Sequence, residues 1–169
     1  MIPALETLRL NFRELTASDV VNLQKIFSDP VAMEFYPSTK SEAETLEWID
    51  WNIQSYQENG FGLWALIDKS TGVFVGQAGL ILQKNVDGAD ETEIAYLLER
   101  KYWGNGFAIE AASRCRDLAF SRFECDRVIS LIDPKNNPSI RVAERIGMVL
   151  EKNVQRWGKA VDVYFQLKA

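Results

Sequence analysis

Gly104 and Gly106 stand one residue apart in the stretch YWGNGFAIEAASRCRDLAF, Tyr102 to Phe120, after an apolar run and before a segment of helical periodicity. The start of a helix carries several N–H groups without intrahelical acceptors and about half a positive charge, so it draws a phosphate. Two positions without side chains would let a pyrophosphate approach those donors, with Ala108 and Ala111 leaving the helix room to pack. The same glycines also suit a tight strand-to-helix corner, and the spacing alone leaves both readings open. A P-loop is excluded, because Gly106-Phe107-Ala108 stands where Gly-Lys-Ser/Thr is needed. A dinucleotide-binding fold comes closer, but Ile109 replaces its third glycine and only one short helix follows Asp133. Proton transfer is constrained as well: the chain has no histidine. Ser-His-Asp and Cys-His catalysis are thereby excluded within the chain, and carboxylates, hydroxyls, amines or water must do the work. Cys115 and Cys125 form no CxxC and read as reduced, packed thiols, so no metal is expected.

The elements that must position these residues fit one domain spanning 1–169, since 169 residues with 47% hydrophobic and 25% charged content suffice for a single core. A net charge of -5 and the absence of any Lys/Arg run longer than two argue against a nucleic-acid partner. No 18-residue apolar run offers a membrane span, and MIPALETLRL lacks the basic start and apolar stretch of a signal peptide. The expectation is therefore a cytoplasmic protein, monomeric or homodimeric, with no membrane partner.

Alternation of Leu8, Leu10 and Phe12 predicts a first strand. Thr16 and Asp19 look like a capping box for a short helix that stops by Pro30, and Ser41 with Glu44 repeats the signal for a longer helix closed by Gly60. Leu46, Ile49, Ile53 and Tyr56 form that helix's expected buried stripe. Period-two runs FGLWALID, GVFVGQAGLIL and TEIAYLLE predict an antiparallel meander, the last two joined by a polar connection KNVDGADE. The glycine turn, its helix and the strand RVISLID imply one parallel junction. A short helix capped at Asn137, with Pro138 in its first turn, and a final hairpin about Gly158 complete an α+β fold with a mixed, mostly antiparallel central sheet.

From LETLRLNFREL through GQAGL, EIAYLLE, YWGNGFAIEA and NNPSIRVAERIGM, the chain resembles the GNAT superfamily of acetyl-CoA-dependent N-acetyltransferases, and most closely its branch of ribosomal-protein N-terminal alanine acetyltransferases. The resemblance implies helices on both faces of the sheet. It places the pyrophosphate of acetyl-CoA on Trp103, Gly104, Asn105, Gly106, Phe107 and Ala108. It also implies that the strand Glu93 to Glu99 carries a bulge and splays from Arg127 to Asp133, with the backbone of Leu97 and Leu98 holding the pantetheine arm and the thioester, and Asn136 near the same cleft. Two departures stand out: Trp103 occupies a position where many members have Arg or Gln, and Ala143 one where many have a Tyr general acid.

An α-amine, with a pKa of about 7.7 to 8.0, is roughly a tenth uncharged at pH 7, a cost of about 1 kcal/mol, against about 4.6 kcal/mol for a lysine side chain. The acceptor expected is an α-amine, most readily a protein or peptide N-terminus, with a polyamine or amino sugar as the alternative and a catalytically silent CoA-binding domain as the non-enzymatic one. Glu93, where the family's strand carries its Glu, is the candidate base through water, with a paired surface carboxylate and an amine anchor as its other readings. Ser139 is the candidate donor to the leaving sulfur, or else a first-turn residue satisfying backbone groups. Glu42, Glu44, Glu47 and Asp50 either form a solvated face or line the cleft, and the five tryptophans divide between packing and recognition.

Overall fold

A computed structural model describes residues 5–169. One eight-stranded sheet runs in the order β1-β2-β3-β4-β5-β6-β8-β7, built from β1 (Leu5–Glu6), β2 (Leu10–Glu14), β3 (Leu63–Asp68), β4 (Phe74–Val86), β5 (Ala89–Leu98), β6 (Arg127–Ile132), β7 (Val149–Arg156) and β8 (Lys159–Leu167). Every neighbouring pair is antiparallel except β5 and β6. Four α-helices cover it: α1 (Val20–Phe27), α2 (Glu42–Asn59), α3 (Phe107–Ser121) and α4 (Asn137–Arg145). No helix among the described residues is long and apolar enough to cross a membrane.

Period-two alternation sorts the core into two layers. Leu66, Val75, Ala78, Leu80, Ile94 and Leu98 pack with Ala111, Ala112 and Cys115 of α3 and Val142 and Ala143 of α4. Ala65, Phe74 and Leu97 face the other way, onto Leu23, Ile26 and Phe27 of α1 and Ile49 of α2. The helix starts follow their caps. Ser41 Oγ accepts from the Glu44 amide at 3.1 Å while Glu44 accepts from the Ser41 amide at 3.0 Å, and Gly60 ends α2 in the left-handed region at φ 78°.

The sequence expectations need five corrections here. Leu8 is 89% exposed and lies in the bend between β1 and β2, so the alternating strand begins only at Leu10. Leu46 is 36% exposed, and the buried stripe of α2 holds Thr45 and Asn52 instead, because Asn52 Oδ1 accepts from the Leu63 amide at 2.8 Å. KNVDGADE is not a loop: β4 continues through Val86 and turns only at Asp87 and Gly88, both with positive φ. The cap of α4 is Asn136, whose Oδ1 accepts from the Ser139 amide at 3.3 Å, not Asn137. The register of β5 against β4 runs without a shift from Glu91 to Leu98, and the irregularity lies at Gln83–Val86 in β4, so the expected bulge between Glu93 and Glu99 is absent.

The splay is present. β5 and β6 are in register only at Glu93 opposite Ile129, beside the ion pairs that bind Arg127 to Glu91 at 3.1 Å and to Glu151 at 2.7 Å. Beyond that point the two strands part towards Leu98 and Ile132, and both line a cavity of about 370 Å³.

Candidate active site

Hydrogen-bond parity decides which backbone faces the gap. The Glu99 amide donates to Val75 O at 2.9 Å, so pairs two residues apart, Leu97 with Gln77 and Ala95 with Gly79, turn their amides and carbonyls toward β4. Ile94, Tyr96 and Leu98 point theirs toward β6. Ser130 Oγ donates to Ile94 O at 2.9 Å, and Trp103 Nε1–H donates to Leu98 O at 3.0 Å. Of the two residues expected to offer backbone to the cleft, Leu98 does so with its N–H, while Leu97 offers its side chain. Tyr96, not singled out from the sequence, presents backbone there as well.

Glu93 occupies the fork where the strands separate. It is 7% exposed, its Oε2 accepts from the Leu131 amide of β6 at 2.7 Å, and its Oε1 accepts from Gln83 Nε2 at 2.9 Å. Arg156 lies behind Gln83, donating to its Oε1 at 3.0 Å. Burial wins over these ion-stabilising bonds and pushes the carboxyl up to about 7. Glu93 is therefore no surface carboxylate. Two hydrogen bonds use half of a carboxylate's accepting capacity, which leaves lone pairs for a group in the cavity.

Two hydroxyl-bearing residues line the same cavity, Tyr96 on β5 itself and Ser139 on α4. Tyr96 donates to Ser139 O at 3.2 Å, and burial holds its phenol well above the ordinary range. Ser139 lines the cavity; its amide donates to the Asn136 cap, and its Oγ makes no backbone hydrogen bond among the described residues. Ala143 is 2% exposed, packed in the core.

At the end of β5 the chain turns into α3 through Gly104 and Gly106, with φ of 79° and 78°. Both need the left-handed region that glycine enters without cost, so the corner explains the glycines conformationally. The first intrahelical bond runs from Glu110 N–H to Gly106 O, so the amides of Phe107, Ala108 and Ile109 have no intrahelical acceptor. A clamp missed in the sequence holds this corner. Arg9 Nε pairs with Glu110 Oε2 at 2.7 Å, its Nη1 donates to Asn105 O at 2.8 Å, and its guanidinium lies 4.4 Å from the Phe107 ring centroid.

The cavity brings together Glu93, Leu97, Asn136 and Ser139, while residues 98 and 103–108 form the adjoining corner. Its outer wall is the connection between α1 and α2, with Phe35 and Tyr36, together with Trp48 and, from the far side, Trp157. Trp64 is core, at 2% exposed, and Trp51 stacks outside Trp48 at 5.3 Å. Glu42, Glu44, Glu47 and Asp50 are solvent-exposed and line nothing in the cavity. An aromatic pair inside a proline-bearing connection was the one sequence signal that could have marked this wall.

A forked parallel junction beside a helix start with unspent amides suits an extended, phosphate-bearing thioester. Residues 9–149 match the family model for an acetyltransferase (GNAT) domain. The chain belongs to the GNAT acetyltransferase family. It is 41% identical over 139 residues to the uncharacterized protein YkkB of Bacillus subtilis, covering 82% of this chain and 80% of that protein. It is similar to an acetyltransferase of Agrobacterium tumefaciens, at 27% identity and a TM-score of 0.86, covering 99% and 96% of the two chains. Two more distant structures share the fold: the ribosomal L7/L12 α-N-protein acetyltransferase RimL in complex with coenzyme A, at 17% identity, TM-score 0.77 and 98% of each chain, and an aminoglycoside acetyltransferase in complex with coenzyme A, at 16%, 0.79, and 94% and 95%. This GNAT chain is accordingly an acetyl-CoA-dependent N-acetyltransferase.

Proposed function

We propose that this GNAT enzyme transfers acetyl from acetyl-CoA to the α-amine of a protein or peptide N-terminus. The observation that carries the reading is Glu93, a carboxyl pushed up to about 7 at the fork of β5 and β6 on the floor of an aromatic-walled cavity. A base with its pKa near the working pH gives the best product of ionised fraction and proton affinity. It also matches an α-amine, whose deprotonation near neutrality costs only about 1 kcal/mol, far better than a lysine side chain.

The phosphates of acetyl-CoA would rest on the amides of Phe107 and Ala108 and the open backbone at Gly104, Asn105 and Gly106, beside Trp103. Its arm would run past Tyr96 and Leu98 toward the fork, near Asn136. The acceptor amine, entering from the aromatic side, loses a proton to Glu93 directly or through one water as its nitrogen bonds to the thioester carbonyl carbon. The carbon–sulfur bond then breaks. The leaving thiolate, with a pKa near 8.5, needs little help, and Ser139 Oγ or the Tyr96 hydroxyl can supply a hydrogen bond in place of the Tyr that Ala143 replaces.

Thiol release from acetyl-CoA, measured across peptides of varied N-terminus, polyamines and aminoglycosides, tests this. Peptides with free α-amines are expected to turn over fastest. Faster turnover of polyamines or aminoglycosides would transfer the activity to small amines, and tight acetyl-CoA binding without turnover of any amine would leave a silent binding domain.

A further inference from the structure

The aromatic wall of the cavity carries a cation that has no carboxylate within ion-pairing distance among the described residues. Lys40 lines the cavity with its Nζ 5.5 Å from the Trp48 ring centroid and 5.8 Å from that of Phe27. It takes part in none of the ion pairs among the described residues. Its acidic neighbour Glu44 gives an oxygen to the Ser41 amide at 3.0 Å, and stands in solvent. The other ammonium of the cavity, Lys159, is satisfied by Asp133 at 2.7 Å and by Phe35 O at 2.9 Å. A cation held against aromatic faces keeps its hydrogen-bonding capacity and attracts an anion entering the same cavity.

Lys40 and Glu93 serve different ends of the acceptor. Trp48, beneath Lys40, donates through Nε1 to Gln77 Oε1 at 3.1 Å, and Gln77 is paired with Leu97. Glu93 is paired with Ile81, four residues further along the strand from Gln77, a rise of about 14 Å at roughly 3.4 Å per residue. A free amino acid, whose amine and carboxylate share one carbon, cannot reach both. An extended peptide of three residues covers about 10 Å at roughly 3.3 to 3.6 Å each, and a charge-assisted contact of about 2.8 Å at either end closes the remainder.

We infer that Lys40 is a specificity-determining residue which selects peptide N-termini bearing a carboxylate about three residues from the reactive amine, with apolar residues between them lying on the aromatic walls. This rests on the acetyl-transfer reading above and adds the acceptor's chemistry to it. Lys40 opposes a polycationic amine at its own end of the cavity, where the carboxylates of α2 face away; of the cavity's acids, Asp133 is paired with Lys159, and Glu34 and Glu93 are the others.

The test compares kcat/KM for amidated pentapeptides that differ only in Glu, Gln or Lys at the third position, together with one tripeptide as free acid and as amide, and spermidine, on the wild type and on Lys40→Met, which keeps the apolar stem. The wild type should prefer Glu over Gln by about tenfold, disfavour Lys further, and lose part of that preference at high salt. Lys40→Met should treat Glu and Gln alike while holding its rate on the Gln peptide within about twofold. Preferential use of the free-acid tripeptide over its amide, abolished in the variant, would identify a terminal carboxylate as an equivalent source of the charge. Equal losses on the Glu and Gln peptides would reduce Lys40 to packing and overturn the inference, and Lys40→Gln, checked by thermal melting, guards against a folding artefact. Better turnover of spermidine than of the Glu peptide would also overturn it. Absence of turnover with every amine despite acetyl-CoA binding is a separate result, which removes the acetyl-transfer reading itself.

Discussion

At the scale of one residue, Glu93 sits where stability and chemistry oppose each other. Its carboxyl titrates near 7 in the fold against 4.5 for the ordinary group, with burial as the leading cause. Below about pH 4.5 folded and unfolded chains both hold the proton. Between 4.5 and 7 only the folded chain keeps it, so stability falls as pH rises, and above 7 the loss is complete at about 3 kcal/mol for a shift of that size. Glu93→Gln cannot ionise, and its amide oxygen can still accept from the Leu131 amide. The variant should therefore melt several degrees above the wild type at pH 8 and close to it at pH 4.5, while kcat/KM drops by about 10²-fold at neutral pH. That deficit should shrink above about pH 8, where an α-amine frees itself. A carboxylate that only anchors a cationic acceptor would raise KM and spare kcat, and equal pH profiles for the two proteins would remove Glu93 from the catalytic list.

At the scale of the element, the corner into α3 needs glycine for its backbone and offers its amides to a ligand, and the two roles separate by substitution. Any L side chain at 106 meets about 1–2 kcal/mol of left-handed strain, so Gly106→Ala should lose a few degrees of melting temperature. Its Cβ would lie 3.3 Å from Arg9 Nη2, the free end of a flexible side chain that can shift. Gly106→Glu adds a carboxylate at the positive helix end and should weaken acetyl-CoA well beyond the Ala variant by titration calorimetry. Equal affinity in both variants and the wild type would leave the glycines as a corner alone. Much of this element structure was legible beforehand, because capping pairs such as Ser41 with Glu44 and the switch from helical to alternating periodicity at Phe61 are local signals. The misreadings have equally local causes. β4 and β5 run on as a polar ribbon past the core, so KNVDGADE had a loop's composition, and two consecutive asparagines competed for one cap. Arg9 on Glu110 and Trp48 on Gln77 join residues far apart in sequence, and nothing in the spacing of either announced the contact.

At the scale of the whole molecule, the sheet is two antiparallel halves, β1–β5 and β6–β8, joined along a seam that is in register only at Glu93 opposite Ile129. The Leu131 amide on Glu93 and Ser130 Oγ on Ile94 O stitch that seam at its closed end, and α3 bridges it as the crossover. The cost of the open end is a row of backbone groups without sheet partners, and the structure assigns them to alternate residues. Tyr96 and Leu98 carry amides that face the gap, whereas Ala95 and Leu97 carry amides committed to β4. Amide hydrogen exchange of the free protein should thus show Tyr96 and Leu98 exchanging faster than Ala95 and Leu97. Acetyl-CoA laid along the seam should slow Tyr96 and Leu98 selectively. Amides that exchange only through global unfolding should slow by a common factor of about 100 when the ligand is at 100 times its Kd, corresponding to about 2.7 kcal/mol. Protection beyond that common factor at Tyr96 and Leu98 would locate the cosubstrate in the fork. Protection centred on Leu97, with Tyr96 and Leu98 unchanged, would place it elsewhere and would break the link between the seam and the thioester that the assignment of Glu93 depends on.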